Sequence, residues 1–345
     1  MTAVAPTITT TEPRHLPLLT VSQMKSFRSC HRKHHFAYNL GVRPVERPLP
    51  LRFGTLVHRA LEAWWLPSGA TAAVPAGDAR LAAALAVLAA AVDEDPFDVL
   101  RAEELMRGYH LRWIDDADAY ETIAVEQQFR APLVNPETGA PSRTFELGGK
   151  SDVIVRERRS SRMLLVEHKT STEDIGPGSE YWRRLTLDGQ VSTYLVGARA
   201  LGYPVEGCLY DVLARPRMQQ LKATPEDARK YTKAGTLYAN QRAEDETPDD
   251  FRARLRGRIA EAPDDFYQRG IIVRLEDEER DAAFDTWQTA RLIREAQLAG
   301  RHPRNPDSCT QWGRTCAYFD VCTGAASLDD ASRFRHVERV HEELA

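Results

Sequence analysis

The chain has 345 residues, of which 42% are hydrophobic and 28% are charged, and its formal net charge is −4 at pH 7. This length and composition predict a globular protein with one large or two ordinary domains and a sizeable core. The mild negative charge does not by itself indicate a nucleic-acid-binding protein, although an acidic total can hide a local basic surface. The longest apolar run, Leu81 to Val92, is too short to span a membrane and is Ala-rich, which predicts a packed helix.

The first seventeen residues, MTAVAPTITTTEPRHLP, contain neither a basic start nor a hydrophobic stretch. They predict a disordered leader (1–17) rather than a secretion signal, so we expect a cytoplasmic protein. In that reducing environment the five cysteines are expected to be metal ligands or buried thiols rather than disulfides.

Helices are predicted in the first third of the chain. An extended segment, LLTVS, leads into a helix that reaches residue 40, with Ser22 as its candidate N-cap. A second helix is predicted over 53–66, behind Gly54, and a Gly/Ala/Pro-rich loop over 67–78. Helices are expected to fill 79–120.

The hydrophobic pattern then changes to that of β-strands. Three consecutive strands are predicted in TIAVEQQF, TFELGGKSDVIVRE and RMLLVEHKT, with a charged turn around 156–162. A helix over 180–201, closed by Gly202, precedes the strand EGCLYDVLA. A polar segment (216–265), helical where patterned, is followed by the strand YQRGIIVRL and a helix over 277–299.

Charged residues interrupt the apolar strand LLVEHKTS (164–171). Side chains alternate across a strand, so Glu167 and Lys169 are predicted on one face and His168 on the other. Asp152 lies on the preceding strand, and antiparallel pairing can bring it to Glu167 at one edge of the sheet. Two buried carboxylates repel each other, and a divalent cation such as Mg²⁺ or Mn²⁺ removes that cost.

Lys169 has a chemical role beside such a cation. An ammonium group in that place orients and acidifies an attacking water and stabilises charge on a scissile phosphate. The alternative is a salt bridge at a strand end, which is common for an isolated Glu-x-Lys pair.

The order of the motifs resembles a known family. Gly-Gly-x-x-Asp ends at Asp152, Glu-x-Lys follows at 167–169, and Gln190 and Tyr194 lie one turn apart on the next predicted helix. With the upstream FGTLVHRALE, VEQQF and LTVSQMKSFRSCHRKHHFAYNLG, this order resembles the PD-(D/E)XK nuclease superfamily over nearly the whole chain. It is similar in particular to the RecB-like branch, which includes the CRISPR-adaptation exonucleases and the AddB nuclease subunit.

The resemblance implies an α/β fold with a restriction-endonuclease-like core, in which a central mixed β-sheet is flanked by helices. It also implies a site for one or two Mg²⁺ or Mn²⁺ ions. The implied ligands are His58, Asp152, Glu167 and the main-chain carbonyl of His168. Gln190 and Tyr194 are implied to contact the DNA strand near the cut.

Some of these residues have a structural alternative. His58 shares a helix with the apolar stripe of Val57, Leu61 and Trp65, so it is either a ligand or a packed core histidine. Tyr194 lies on an apolar helical stripe of its own and has the same alternative.

Two further carboxylates are candidates near the metal ion. Glu62 lies one turn from His58 on the same helical face. Glu126, in VEQQF, is implied by the resemblance either to orient the metal shell or to bind a second ion.

Three cysteines fall in one C-terminal loop, CTQWGRTCAYFDVC, and a fourth lies near the start of the chain. This layout resembles that of the iron–sulfur nucleases of the branch, in which a [4Fe-4S] cluster joins the two ends of the chain. The implied ligands are Cys30, Cys309, Cys316 and Cys322. Four thiolates satisfy such a cluster or a structural zinc ion equally well. Six residues separate Cys309 from Cys316, a wider spacing than the family pattern.

The fifth cysteine, Cys208, is predicted to be a buried small hydrophobe in its strand. Beside Cys30, the histidines His31, His34 and His35 stand among lysines and arginines. This run predicts either a basic patch that suits a DNA backbone or a solvated helix face.

The sequence predicts six segments in order. They are a disordered leader (1–17), N-terminal helices with one cluster cysteine and the metal histidine (18–66), a helical insertion (67–120), the nuclease core (121–215), a polar helical segment with a late strand and helix (216–300), and a C-terminal cysteine loop and tail (301–345).

We expect a metal-dependent nuclease that hydrolyses DNA phosphodiester bonds. The resemblance favours an exonuclease acting on single-stranded DNA ends in recombination, repair, phage replication or CRISPR adaptation. No Walker motif occurs, so a helicase or recombination partner is expected on another chain. The alternatives are a catalytically inactive DNA-binding subunit of a helicase–nuclease complex and an iron–sulfur redox protein.

Overall fold

The computed structural model describes residues 15–46, 48–66, 77–311 and 313–344. Most of the predicted leader (1–17) and of the predicted loop (67–78) lies outside the described residues. The chain divides into two compact units. Unit 1 comprises Met1–Pro44, Gln128–Gly149 and Leu275–Ala345, and unit 2 comprises Val45–Gln127 and Lys150–Arg274.

The helices and strands follow one another along both units. In chain order they are β1 (Leu18–Leu19), α1 (Val21–Ser29), α2 (His31–His34), β2 (Val42–Pro44), α3 (Leu49–Trp65), α4 (Gly77–Ala89), α5 (Pro96–Asp118), β3 (Tyr120–Val134), β4 (Pro141–Glu157), β5 (Met163–Ser171), α6 (Glu180–Leu185), α7 (Gly189–Ala200), β6 (Val205–Ala214), α8 (Pro248–Glu261), β7 (Tyr267–Ile272), α9 (Glu276–Ala299), β8 (Thr310–Gln311), β9 (Arg314–Thr315), α10 (Phe319–Thr323) and β10 (Phe334–His336). Within the described residues, no helix has the length and apolarity needed to cross a membrane.

A mixed β-sheet forms the centre of unit 2. β4 pairs with β5 antiparallel, β5 with β6 parallel, and β6 with β7 antiparallel, while β3 pairs with β4. Helices cover the sheet, which confirms the predicted α/β fold with a central mixed sheet flanked by helices.

Alternate residues of the central strands face two hydrophobic cores. Val153 and Leu164 pack into one core with residues of α3, α4, α5 and α8. Ile154 and Leu165 pack into the other core with residues of α7. Because both faces of β5 are covered, its first half is continuously apolar, as the run MLLV indicates.

Unit 1 holds both ends of the described chain. β1 runs parallel to the first half of β4, and β2 pairs antiparallel with β10. α1 packs against α9, where the guanidinium of Arg28 donates two hydrogen bonds to Oγ1 of Thr289, of 3.1 and 2.9 Å. The hydroxyl of Tyr318 donates a 2.7 Å bond to the carbonyl of Val42. Unit 1 therefore joins the N-terminal and C-terminal segments by ordinary packing and hydrogen bonds.

Three helix predictions differ from the structure. The N-cap of α1 is Thr20, whose hydroxyl accepts from the Gln23 N–H, so Ser22 lies inside the helix. The helix predicted to reach residue 40 is interrupted at Cys30, which has extended backbone angles (φ −162°, ψ 119°). The helix predicted over 180–201 is two helices, because Asp188 starts α7 by accepting a 2.8 Å bond from the Gln190 N–H.

Candidate active site

The site lies where β4 and β5 separate. Their paired residues run from Arg156 with Met163 to Val153 with Val166, and the pairing ends just before Asp152 and Glu167. Beyond that point the main-chain N–H of His168 donates a 2.7 Å hydrogen bond to Oδ2 of Asp152. The Asp152 carboxylate thus takes the place of a main-chain acceptor where the β4–β5 pairing ends.

Helix α3 brings His58 to the same place. Nδ1 of His58 lies 3.8 Å from Oδ2 of Asp152. The neighbouring Val57 and Leu61 are buried in the core, whereas the His58 side chain keeps 31% of its surface exposed. Gly54, one turn earlier, permits the close approach of α3 to β5, since an added Cβ would stand 3.1 Å from Oγ1 of Thr170. His58 therefore lies beside the Asp152 carboxylate with part of its ring accessible to solvent.

Glu167 is buried and only 3% exposed. Its Oε1 accepts a hydrogen bond from Nζ of Lys169 and a 2.6 Å bond from Nε2 of Gln190 on α7. Tyr194, one turn further along α7, is half-buried, and the charges of Glu167 and Lys169 act on its hydroxyl. The structure therefore brings together Glu167, Lys169, Gln190 and Tyr194.

Burial dominates the ionisation of these groups. It raises the pKa of Glu167 to about 7, against the lowering effect of the Lys169 ammonium. It also raises the pKa of Asp152, against His168 and Lys169. Burial lowers the pKa of His58 to about 4, and the Lys169 charge adds to this shift. The imidazole is therefore neutral at pH 7, which is the form that binds a metal ion.

The pKa of Lys169 shifts in the opposite direction to that of His58. Burial alone would lower its pKa, but the carboxylates of Glu167 and Asp152 outweigh burial and raise it. Lys169 is therefore a cation that these two acidic groups hold in place.

The donor set fits a hard divalent cation. The hydrogen bonds to Glu167 fall on Oε1 and the bond to Asp152 falls on Oδ2, which leaves Oε2 of Glu167 and Oδ1 of Asp152 without a donor from the described residues. Carboxylate oxygens with one neutral imidazole suit Mg²⁺ or Mn²⁺. No three His, Cys, Asp or Glu side chains in the described part of the chain form a ready-made metal-binding group.

Glu126 has an unusual backbone conformation. Its φ is +52°, in the left-handed region, although it lies within β3. Its carboxylate forms a 2.5 Å ion pair with Nζ of Lys150. The Glu126 charge also acts on Glu62, whose pKa is raised first by burial and then by Glu126. Glu62 and Glu126 therefore lie close to each other beside the site.

A buried network around His168 was not predicted from the sequence. Nδ1 of His168 lies 3.2 Å from Oδ2 of Asp211 on β6. The same oxygen accepts a 2.6 Å bond from the Tyr109 hydroxyl and a 3.0 Å bond from Nη2 of Arg269. The available signal was an aspartate inside the apolar strand EGCLYDVLA, which requires a buried partner.

The wide cysteine spacing has a structural reason. A small hairpin fills the interval between Cys309 and Cys316, because β8 pairs with β9. Gly313 lies between those strands at φ +70°. The hairpin brings the two cysteines together, so that the Cys316 N–H donates a 2.7 Å bond to the Cys309 carbonyl.

All four predicted cluster cysteines belong to unit 1 and gather in one region. Oγ of Ser308 and Nδ2 of Asn305 each donate a 2.8 Å bond to the carbonyl of Ser29, the residue before Cys30. Burial raises the pKa of Cys322, and the thiols of Cys30, Cys316 and Cys309 raise it further. All four are free thiols of intermediate exposure, whereas Cys208 is fully buried in unit 2, as predicted. Within the described residues, however, these thiols do not form a ready-made group of metal ligands.

The histidines beside Cys30 do not form a uniform solvated face. His34 is buried, and burial lowers its pKa to about 4, with the nearby His302 adding to the shift. His31 stacks on Phe27, and His35 stacks on His302 at 3.9 Å between ring centroids. These rings therefore contribute to packing in unit 1.

Comparison with known proteins decides the family. The family model of the PD-(D/E)XK nuclease superfamily matches residues 18–323. The chain belongs to this superfamily. No curated protein matches it significantly in sequence. A solved structure titled "Crystal structure of SSO0001" is 13% identical over 92% of this chain and 90% of that chain, with a TM-score of 0.35.

Proposed function

We propose that this PD-(D/E)XK protein is a divalent-metal-dependent deoxyribonuclease. The observation that carries the proposal is the convergence of Asp152, Glu167 and Lys169 at the point where β4 and β5 part. A structural salt bridge would not need the second carboxylate, nor the imidazole of His58 close to it. The complete set also favours an active enzyme over an inactive DNA-binding subunit.

Each residue has a role in the proposed reaction. His58, Asp152, Glu167 and the main-chain carbonyl of His168 would hold one or two Mg²⁺ or Mn²⁺ ions. When bound, such an ion would supply charge stabilisation at the scissile phosphate and activation of the attacking water. Lys169, fixed by Glu167, orients the attacking water and stabilises negative charge as the phosphodiester bond breaks.

Gln190 and Tyr194 are proposed to act at the substrate. The amide of Gln190 already holds Glu167, and the Tyr194 hydroxyl lies near the same charges, so both can contact the DNA strand beside the cut. We further propose an exonuclease acting on single-stranded DNA ends, as in the RecB-like branch. A helicase or recombination partner would be supplied by another chain, in the cytoplasm.

The second proposed cofactor is a [4Fe-4S] cluster held by Cys30, Cys309, Cys316 and Cys322. These thiols come from the N-terminal and C-terminal segments of unit 1, and none of the four cysteines is an active-site residue. The cluster would then be a structural clip rather than a redox centre. The alternative, an iron–sulfur redox protein, would leave the convergence of Asp152, Glu167 and Lys169 without a role.

Digestion of end-labelled linear, nicked and circular DNA tests the proposed activity. We expect Mn²⁺ or Mg²⁺ to support cleavage, EDTA to abolish it, and linear DNA with free ends to be preferred. Glu167→Gln and Lys169→Met should each lower the cleavage rate by about 10²-fold or more, the scale of general acid–base catalysis. Glu173→Gln, an exposed carboxylate just after β5, is the matched control and should be fully active. Full activity in EDTA, or of Glu167→Gln, would refute the site.

A further inference from the structure

A groove on unit 1 lies between α9 and the β3–β4 hairpin. Its volume is about 660 Å³. The helix contributes Trp287, Arg291 and Arg294 to its lining, and the hairpin contributes Leu133 and Arg143. None of these residues belongs to the proposed active site.

One face of α9 points into the groove. Trp287, Arg291, Arg294 and Leu298 are spaced by four, three and four residues, so they form a single stripe along the helix. The other face is buried against unit 1, where Thr289 contacts Arg28 of α1. The groove side is exposed, since Arg291, Arg294 and Leu298 are all accessible to solvent.

The arginines of this groove are not neutralised. Among the described residues, no carboxylate forms an ion pair with Arg143, Arg291 or Arg294, and Glu295 is the one acidic residue in the lining. The arginines of α8 differ from those of the groove. On α8, every second residue from 252 to 258 is an arginine, and each of the four pairs with a carboxylate, namely Arg252, Arg254, Arg256 and Arg258. The groove thus keeps positive charge available for a polyanion.

We propose that this groove binds a single strand of DNA outside the active site. The guanidinium groups would contact phosphates, and Trp287 would stack on an unpaired base. Duplex DNA fits less well, because its bases are already stacked on one another and cannot pack on the Trp287 ring. The inference rests on the proposed nuclease function, and it names the strand type and the surface that receives it.

Fluorescence anisotropy in EDTA separates binding from cleavage. A labelled single-stranded oligonucleotide is titrated with wild type, with Arg291→Gln/Arg294→Gln, and with Arg280→Gln/Arg339→Gln. The last variant removes the same charge from two exposed arginines of unit 1 outside the groove lining. We expect only the groove variant to bind more weakly. Its plot of log affinity against log salt should be shallower by about 1.4, two phosphate contacts at about 0.7 each.

The aromatic contact has its own variant. Trp287→Leu should weaken single-strand binding about fivefold or more, the loss of one stacked base, and should leave duplex binding unchanged. Equal affinities of the wild type and the groove variant would overturn the proposal, and so would equal losses in the groove variant and the control variant. Equal losses of single-strand and duplex binding in Trp287→Leu would overturn the stacking role.

Failure of the nuclease function gives a different result. If wild type binds the oligonucleotide but cleaves no DNA with Mn²⁺, the active-site proposal fails and the groove stands. If wild type cleaves, the groove variant should raise KM and leave kcat unchanged, because no groove residue touches the reacting phosphate. A lowered kcat with unchanged KM would overturn the binding role of the groove.

Discussion

Nδ1 of His168 lies 3.2 Å from Oδ2 of Asp211, the residue that pairs with it on the neighbouring strand β6. Asp211 is fully buried and also accepts hydrogen bonds from Tyr109 and Arg269. One carboxylate therefore connects α5, β5, β6 and β7. Because the His168 N–H also holds Asp152, this network fixes the backbone on which the proposed site is built.

Removal of the Asp211 carboxylate should destabilise the fold strongly. Asp211→Ala takes away the counter-charge of the buried Arg269, and breaking a buried ion pair costs about 3–5 kcal/mol. Urea unfolding followed by fluorescence measures the loss. Asp245→Asn, at an exposed carboxylate paired with Lys222, is the control and should leave the urea midpoint unchanged. A similar midpoint for both variants would show that the network contributes little.

Gln190 should matter for catalysis more than for folding. It holds the same oxygen of Glu167 as Lys169 does, and loss of such a supporting contact typically costs 10–100-fold in metal affinity or activity. We expect Gln190→Ala to lower the cleavage rate by about that factor and to keep the wild-type melting temperature. Thr193→Ala on the same helix is the control and should cleave DNA at the wild-type rate, because the Thr193 hydroxyl donates its hydrogen bond to the Gly189 carbonyl and not to Glu167. Normal rates for Gln190→Ala would remove it from the site.

His58 and its neighbour Leu61 should give opposite results. His58→Ala leaves the core side of α3 intact, so the protein should remain folded but need more Mn²⁺ for half-maximal cleavage. Leu61→Ala removes a side chain that is 1% exposed and should cost about 2–5 kcal/mol of unfolding free energy. Its folded fraction should show the wild-type Mn²⁺ requirement. If His58→Ala is unfolded but its folded fraction has the wild-type Mn²⁺ requirement, His58 is a packed core histidine and not a metal ligand.

Short-range patterns predicted much of the site. Strand alternation and a single hairpin placed Asp152, Glu167 and Lys169 at one edge, and helical spacing placed Gln190 one turn from Tyr194. These relationships depend on neighbours in sequence, which the period of an element determines. The apolar strands likewise predicted the central sheet.

Long-range polar contacts could not be predicted in the same way. The Asp211 network joins residues 43 to 160 positions apart, and no local period connects Asp211 to Tyr109 or Arg269. The break at Cys30 was also missed, because the surrounding residues are compatible with a continuous helix. The hairpin between Cys309 and Cys316 escaped notice since each of its strands has only two residues.

The cysteines give the last prediction. Cys30 lies between α1 and α2, and the other three lie about 280 residues further along the chain, beyond Pro306. A cluster that bridges them closes a very long loop, so its loss should release both ends of unit 1. Protein purified without oxygen should be brown and contain iron and sulfide. Cys30→Ser should bleach it, lower its melting temperature and expose the termini to protease.

Cys208→Ser is the matched control for this prediction. Cys208 is buried in β6 of unit 2 and lies outside the thiol group of unit 1, so colour and iron content should remain. Stoichiometric zinc without sulfide would replace the iron–sulfur cluster by a zinc ion and retain the clip, because four thiolates satisfy either one. A cluster that survives in Cys30→Ser and disappears in Cys208→Ser would contradict the ligand set, because Cys30 is a proposed ligand and Cys208 is not.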